Sequence, residues 1–218
     1  MKRSAALRFG VVCALTFGVL GATIGDTRTA LPPSSPRLRS VPRNALFVDD
    51  FSSGKLTAWR TDQPEVWSVV RGMARARLAD EKQLRSMLCA GDTTWTDVAI
   101  DLDVCMTRGV DKGVAVRVRN DQGIGVDLRG GTYQDLVVYQ GVIPLGRVRS
   151  LNVDGAWHHL RVELRGMHVR VLVNGDVALE RDARAFMAPR GGIALPAYTG
   201  GVAQCTVYYD NVVVTPLD

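Results

Sequence analysis

From residue 45 onward, apolar and polar side chains alternate with a period of two. The pattern is uninterrupted in residues 97–106, where every second position is apolar: Val98, Ile100, Leu102, Val104 and Met106. Such alternation predicts a β-strand with one buried face. Similar runs lie at 114–119, 124–129, 160–164 and 169–173, separated by turn residues. The sequence therefore predicts an all-β fold, either a sandwich of two antiparallel sheets or a barrel, because many short strands with almost no helical pattern are typical of both.

Ahead of this region lies a leader that predicts export. Residues 1–8 are basic, and residues 9–24 form an apolar run of 16 residues. A membrane-spanning helix needs about 20 apolar residues, so residues 1–25 fit a signal peptide, with an uncleaved N-terminal anchor helix at 9–24 as the alternative. We expect a periplasmic, cell-surface or extracellular location.

Between the leader and the alternating region, residues 26–44 contain four prolines, three serines and four arginines without apolar periodicity. This composition predicts an extended, solvated linker. The expected organisation is thus a leader (1–25), a linker (26–44) and one β-sandwich domain (45–218).

The distribution of charge along the chain bears on which partners are expected. The whole chain carries a net charge of +5, but residues 45–218 contain 20 Lys and Arg against 21 Asp and Glu. The excess of positive charge belongs to the leader and linker. A domain without a basic surface excess disfavours nucleic acid as a partner.

Several runs carry a family resemblance: Phe47–Trp59, Trp67–Val69, Trp95–Val104, Trp157–Leu164, Val169–Gly175 and Tyr209–Val214. In this order they resemble the concanavalin A-like jelly rolls of the laminin-G-like and 3-keto-disaccharide-hydrolase-like superfamily of exported bacterial proteins. The resemblance implies a jelly-roll sandwich and a carbohydrate-directed role. Because such a fold hosts lectins, glycan-binding modules and glycosidases, it does not fix the activity. We expect a non-catalytic domain that binds a glycan or cell-envelope polymer; the alternatives are a glycoside-directed hydrolase and a structural or protein-interaction domain.

The sequence contains no recognisable catalytic motif from which active-site residues could be assigned. Glycosidases use two carboxyl groups flanking the scissile bond, and the clustered glutamates of laminarinase-like enzymes are absent. Asp101 and Asp103 are the weak candidates, since alternation places them on one strand face about 6.5–7 Å apart. A solvated strand face explains the same pattern.

A candidate binding face lies on the hairpin around residues 120–123. Alternation places Arg117, Arg119, Asp127 and Arg129 together, opposite the apolar side of the same strands, with Tyr133 or Tyr139 nearby. Guanidinium and carboxylate groups suit sugar hydroxyls, and in this arrangement Arg117 and Asp127 could pair across the strands. A polar face without a ligand is the alternative.

The first and last strands offer a candidate calcium site. If these strands are neighbours, as the resemblance implies, Asp50 and Asp210 approach each other, and carboxylate oxygens are ligands for Ca²⁺. Strand capping or turn hydrogen bonds by both residues is the alternative.

The cysteines predict one disulfide in an oxidising compartment. Cleavage of the leader removes Cys13 and leaves Cys89, Cys105 and Cys205. If the last strand runs antiparallel to residues 97–106, Cys205 near its start faces Cys105 near the end of the other strand. We therefore expect a Cys105–Cys205 bond and a free thiol at Cys89.

Overall fold

The computed structural model describes residues 31–38, 40–120, 122–184 and 189–217. These residues form fourteen strands and no α-helix. The strands are β1 (Phe47–Asp49), β2 (Trp67–Val70), β3 (Met73–Arg77), β4 (Arg85–Ala90), β5 (Val98–Arg108), β6 (Asp111–Arg119), β7 (Gln122–Arg129), β8 (Asp135–Gln140), β9 (Ile143–Arg149), β10 (Trp157–Arg165), β11 (His168–Val173), β12 (Asp176–Asp182), β13 (Gly192–Tyr198) and β14 (Thr206–Pro216).

The strands build two antiparallel sheets. Sheet A has the order β12-β11-β10-β5-β14-β3-β2, with β1 paired to β14, and sheet B has the order β4-β13-β6-β7-β8-β9. The inner faces of the two sheets pack against each other, which leaves each sheet with one outer face. The architecture is the expected jelly-roll sandwich, and the predicted Asn174-Gly175 hairpin joins β11 to β12.

The core follows from the alternation of apolar residues. In β5 the side chains of Ile100, Leu102 and Val104 are fully buried, and neighbouring β10 contributes Leu160 and Val162 to the same face. Burying such side chains stabilises the fold by about 1.5–3 kcal/mol each. The period-two pattern therefore fixes which face of each long strand meets the other sheet.

Two of the four tryptophans fill the core near the first strand. Trp59 stacks on Phe51, with ring centroids 5.7 Å apart, and its indole N–H donates to Asp49 at 2.7 Å. Trp67 is likewise buried, and its N–H donates to the Ser86 hydroxyl at 2.9 Å. Each buried indole thus keeps a hydrogen-bond acceptor, which a polar group in an apolar interior requires.

The proline-rich segment ahead of the domain lies against the sheet, although most of its side chains are exposed. Residues 31–38 and 40–44, called the strap below, lie against the outer face of sheet A. Pro32 is buried, and the Pro33 carbonyl accepts a hydrogen bond from the Trp157 indole at 2.8 Å. Most side chains of the strap are exposed, but donors of the sheet hold it through the carbonyls of Pro33 and Pro36, so this part of the predicted linker is attached to the domain.

The leader predictions for residues 1–25, including the apolar helix, lie outside the described residues. Among the residues that the structure does describe, no helix has the length and apolar character needed to cross a membrane. Signal cleavage, anchoring and export stay predictions.

The predicted Cys105–Cys205 disulfide is absent, since both residues are free thiols. In the backbone register of β5 and β14, Cys105 lies opposite Tyr208 rather than Cys205. Its side chain is on the outer face of sheet A with Met73 and Tyr208. Cys205 is buried in the core between the sheets. The strands do run antiparallel as expected, but the register and a bulge after Thr206 put the two thiols on opposite sides of the sheet.

Candidate functional site

A groove runs across the outer face of sheet B. Its first part has a volume of about 610 Å³. Its second part, of about 860 Å³, is lined by residues 60–63 and the β8–β9 turn. Arg85, Met87, Ala115 and Gly125 line both parts, so the two form one continuous depression. A concave surface of this size is the usual form of a ligand site.

Small residues form the floor of the groove. Ala115 on β6 lies opposite Gly125 on β7. A Cβ atom built on Gly125 would meet no atom within 4 Å, so the space above this residue is open. Gly113 has a different role, because a Cβ there would lie 1.9 Å from the Val126 carbonyl oxygen. Gly113 thus permits the close approach of β6 and β7, and Gly125 leaves room for a ligand.

A pair of carboxyl groups lies at one end of the groove. Asp111 on β6 and Asp127 on β7 are hydrogen-bonded to each other through their side chains. Burial raises the pKa of Asp127 well above its usual range, and the negative charge of Asp111 raises it further. Burial also raises the pKa of Asp111. Since two adjacent carboxylates repel each other, the pair gives up its last proton at a higher pH than a lone carboxyl group would.

Aromatic and basic side chains complete the walls. Tyr139 on β8 and Tyr198 on β13 line the same part of the groove as the carboxyl pair, and Arg85 on β4 lies at the junction of the two parts. Tyrosine rings pack on the apolar faces of ligands while their hydroxyls make hydrogen bonds. Burial raises the pKa of Tyr139, so its hydroxyl stays protonated and available as a donor.

A second polar cluster supports this end of sheet B. Arg129 donates to both carboxylate oxygens of buried Asp135, each at 2.8 Å, and Arg147 donates to the same carboxylate. The Arg129 guanidinium also lies over the Tyr133 ring, 4.5 Å from its centroid. A bidentate pair fixes the orientation of Arg129. Its positive charge acts on Asp111 and Asp127, partly opposing the rise of their pKa values.

The structure separates the predicted binding residues. Asp127 and Tyr139 line the groove. The positive charge of Arg129 acts on the Asp127 carboxyl group. Arg119 is exposed near the β6–β7 turn and is not among the residues that line the groove.

Arg117 was placed wrongly. Its side chain is buried and donates to the carbonyls of Thr96 and Gly166 and to the Asp97 carboxylate, at 2.6–2.9 Å. An Arg117–Asp127 pair does not form, because Asp127 lies opposite Gly113. A bulge between Val116 and Arg119, with Arg117 at φ 50°, turns this side chain away from the groove.

Asp101 and Asp103 lie on the outer face of sheet A, on the other side of the sandwich from the groove. Asp103 accepts hydrogen bonds from Asn211 at 2.7 Å and from His159 at 3.0 Å, and Asp101 contacts the other ring nitrogen of His159. Both carboxylates raise the pKa of His159 to about 9, so the imidazole is a cation at neutral pH. The two carboxylates line a cavity of about 400 Å³, but their oxygens are engaged by His159, Arg161 and Asn211, which makes the arrangement a half-buried ion cluster.

Asp50 and Asp210 are close enough that the charge of Asp50 contributes to a raised pKa at Asp210, which burial brings to about 6. Asp50 accepts hydrogen bonds from the backbone and hydroxyl of Ser52, and Asp210 contacts Ser35. Among the described residues, no group of three or more His, Cys, Asp or Glu side chains is arranged to hold a metal ion. Calcium binding at these residues stays a prediction.

Sequence reasoning missed Asp111, Tyr198 and Arg85. The alternation in β6 extends through Asp111, Gly113 and Ala115 on the groove side, with buried Lys112 and Val114 between them. Because Lys112 interrupts the apolar pattern, the strand seemed to begin at Val114. Tyr198 and Arg85 face each other on neighbouring strands β13 and β4, a pairing that needs the sheet order to be known.

Residues 46–215 match the family model described as the 3-keto-alpha-glucoside-1,2-lyase-like domain. The chain belongs to this family. The match includes every strand of both sheets, and it agrees with the concanavalin A-like superfamily to which the sequence motifs pointed. No protein of curated function matches the chain.

Solved structures with the same fold include both binding modules and enzymes. The carbohydrate-binding module CBM66 from Bacillus subtilis has a TM-score of 0.61 at 13% identity, covering 73% of this chain and 96% of that chain. A β-1,3-1,4-glucanase (lichenase) from a mouse hindgut metagenome has a TM-score of 0.62 at 13% identity, covering 78% and 99%. A putative glycosyl hydrolase from Parabacteroides distasonis reaches 0.52 at 21% identity, covering 78% and 98%. At these identities the likeness concerns the fold.

Proposed function

We propose that the protein binds a carbohydrate in the groove on the outer face of sheet B. The observation that carries the proposal is the composition of the groove, where tyrosine rings and a hydrogen-bonded carboxyl pair surround an open floor of alanine and glycine. Rings stack on sugar faces, and carboxyl groups bind hydroxyls. Membership of a family named for a glycoside and the fold shared with a carbohydrate-binding module support the same role.

Within the groove, Asp111 and Asp127 provide both an acceptor and a donor. The ionised carboxylate accepts a hydrogen bond from a sugar hydroxyl, and the protonated one can donate to a ring or hydroxyl oxygen. Tyr139 and Tyr198 would contact the faces of the same sugar. The adjoining part of the groove leaves space for a second sugar or for the remainder of a chain.

The first experiment is a glycan array with the full chain, followed by calorimetry on each bound sugar. Gly125→Val fills the floor and should abolish binding, because the added side chain occupies ligand space while meeting no protein atom near its Cβ. Asp127→Asn should weaken binding at least about tenfold, as expected for loss of a hydrogen bond to a charged group. Arg190→Ser, at an exposed position outside the groove, is the matched control and should bind normally. Binding that survives Gly125→Val would place the sugar elsewhere and contradict the proposal.

A second function is favoured by the hydrogen-bonded carboxyl pair, which gives the site an acid beside a base. In a 3-keto glycoside the ketone acidifies the C2 proton. A carboxylate can remove that proton as the C1=C2 bond forms and the C1–O bond breaks, while the carboxylic acid protonates the departing oxygen. General acid and base catalysis of this kind contributes about 10²–10⁴-fold each. The reaction is an elimination, consistent with the lyase in the family's description.

Product analysis separates the two functions. Incubation with a 3-keto disaccharide should yield a free sugar and an unsaturated keto sugar that lacks one water relative to the hydrolysis product. Asp111→Asn and Asp127→Asn should each lower the rate at least about 100-fold, whereas Arg190→Ser should not. Saturable binding without product formation would leave the protein a binding module.

A further inference from the structure

The first part of the strap, residues 31–36, contacts the outer face of sheet A through side chains and backbone carbonyls. At its beginning, Leu31 packs on the apolar cluster of Met73, Cys105, Tyr208 and Trp157. The Trp157 indole donates to the Pro33 carbonyl at 2.8 Å, and the Asn211 amide donates to the Pro36 carbonyl at 2.7 Å. Between these two points the Ser35 hydroxyl bonds to the Asp210 carboxylate.

The second half of the strap covers polar residues of the sheet. Leu38, Ser40, Pro42 and Asn44 form one wall of a cavity of about 400 Å³. Its opposite wall includes Asp101, Asp103, His159 and Arg161 of strands β5 and β10. The strap then passes into β1, where the Leu46 amide donates to the Val214 carbonyl at 2.8 Å. The strap is therefore held at residues 31–36 and again where the chain enters β1, and Leu38, Ser40, Pro42 and Asn44 border the cavity between these two places.

The chemistry of these contacts is that of proline-rich peptide recognition. An extended proline-containing chain has no internal hydrogen bonds, so its carbonyls are free to accept from aromatic and amide donors of a receptor surface. Prolines also reduce the conformational entropy that the segment loses when it docks. Trp157 and Asn211 supply such donors at a spacing that matches the carbonyls of Pro33 and Pro36.

We propose that the outer face of sheet A is a receptor surface for an extended proline-rich segment, and that the strap occupies it as a mount that fixes the orientation of the domain. The chain enters the domain on this face, and the groove lies on the outer face of the other sheet. Whatever holds the chain ahead of residue 31 therefore holds the domain by the side opposite its groove. A solvated linker would instead leave the groove free to point in any direction.

Limited trypsin digestion of the full chain tests the docking without any ligand. Arg37 and Arg43 lie within the strap, and Arg190, in an exposed segment before β13, is the internal reference. In the docked state, cleavage after Arg37 and Arg43 should be at least tenfold slower than after Arg190. Equal rates at the three sites would overturn the proposal.

Two glutamate variants form a matched pair. Ser35→Glu places a carboxylate against Asp210, with Asp50 and Asp103 also acting on that position through their charges. It should release the strap and raise cleavage after Arg37 and Arg43 at least tenfold. Ser34→Glu changes the charge equally at an exposed neighbour and should leave protection unchanged. Trp157→Phe, which keeps a ring but removes the donor, should raise cleavage to a smaller extent.

Two outcomes would contradict the proposal. Equal cleavage of the two glutamate variants would show that Ser35 does not hold the strap. Protection that decreases on dilution would assign the occupied surface to the strap of a second copy. Neither result bears on sugar binding in the groove, so failure here is distinguishable from failure of the proposed function.

Discussion

Lys112 is buried in the interior, although the lysine ammonium group is strongly hydrated and lysine is almost never fully buried. Its side chain is 1% exposed, and its ammonium has no hydrogen-bond partner among the residues that the structure describes. The residue opposite on β7 is Leu128, which is fully buried. Burial lowers the pKa of Lys112, which reflects the cost of holding a cation in an apolar setting.

We expect Lys112→Met to stabilise the protein. Methionine has a similar length and no charge to desolvate, so the free energy of unfolding should rise by about 1–2 kcal/mol, seen as a higher Tm in a thermal melt. Lys82→Met removes a charge at an exposed position and should leave Tm unchanged within error. A fall in Tm for Lys112→Met would mean that the ammonium makes a stabilising contact.

At the level of single residues, alternation succeeds where the strand is regular. Asp127 lies on the face of β7 that the alternation assigns to polar residues, and Tyr139 lines the same groove, because β7 and β8 pair in this region without a shift. Arg117 fails because one bulged residue reverses the direction of every side chain after it. Asp111 fails because an inward-facing lysine breaks the apolar signal that marks the start of β6. Neither a bulge nor a buried cation has a reliable signature in a single sequence.

Strands β5 and β10 are joined by charge on their outer face as well as by their backbone ladder. His159 on β10 lies opposite Asp103 on β5, with Asp101 two residues away on the same strand. Both ring nitrogens contact carboxylates, at 3.0 and 3.3 Å. Arg161 extends the cluster by contacting Asp101 and Glu163. Opposite charges on adjacent strands therefore hold the centre of sheet A together beneath the strap.

The stability of this sheet should depend on pH through His159. Because the folded pKa is about 9 and the ordinary value is 6.5, the stabilisation is complete below pH 6.5 and is lost as the pH rises through 9. Over this interval the free energy of unfolding should fall by about 1–3 kcal/mol, as measured by urea denaturation. His159→Gln should remove most of this dependence. His168→Gln, at an exposed position on β11, should retain it; equal profiles for the two variants would contradict the assignment.

For the molecule as a whole, the period-two pattern predicts an all-β sandwich or barrel, and the family motifs narrow this to the jelly-roll sandwich that the structure has. Strand order and register were not available from the pattern, and every error beyond single residues follows from that. Prolines and arginines give the strap the composition of a solvated linker, and the donors that bind its carbonyls, Trp157 and Asn211, are distant in sequence, so these contacts cannot be predicted from the composition. The prediction of a Cys105–Cys205 disulfide is wrong because it depended on the register of β14, which the sequence does not reveal.

Since Cys105 and Cys205 are free and lie on opposite sides of sheet A, reducing agent should not change the stability of the whole protein. Tm in a strong reductant should equal Tm in its absence, whereas loss of a native disulfide would cost about 2–5 kcal/mol. Burial raises the pKa of Cys105 to about 11, which further limits its reactivity. A reductant-dependent fall in Tm, or a cross-linked peptide in a non-reducing digest, would contradict this.

The open space above Gly125 has a consequence for how this protein can diversify. A strand position where larger side chains fit without strain gains β-propensity when glycine is replaced. A series from alanine to leucine at this position would reduce the depth of the groove in steps while keeping the fold at least as stable. Ligand preference could therefore change by single substitutions that carry no folding penalty, so related chains are expected to differ in specificity at this position before they differ in architecture.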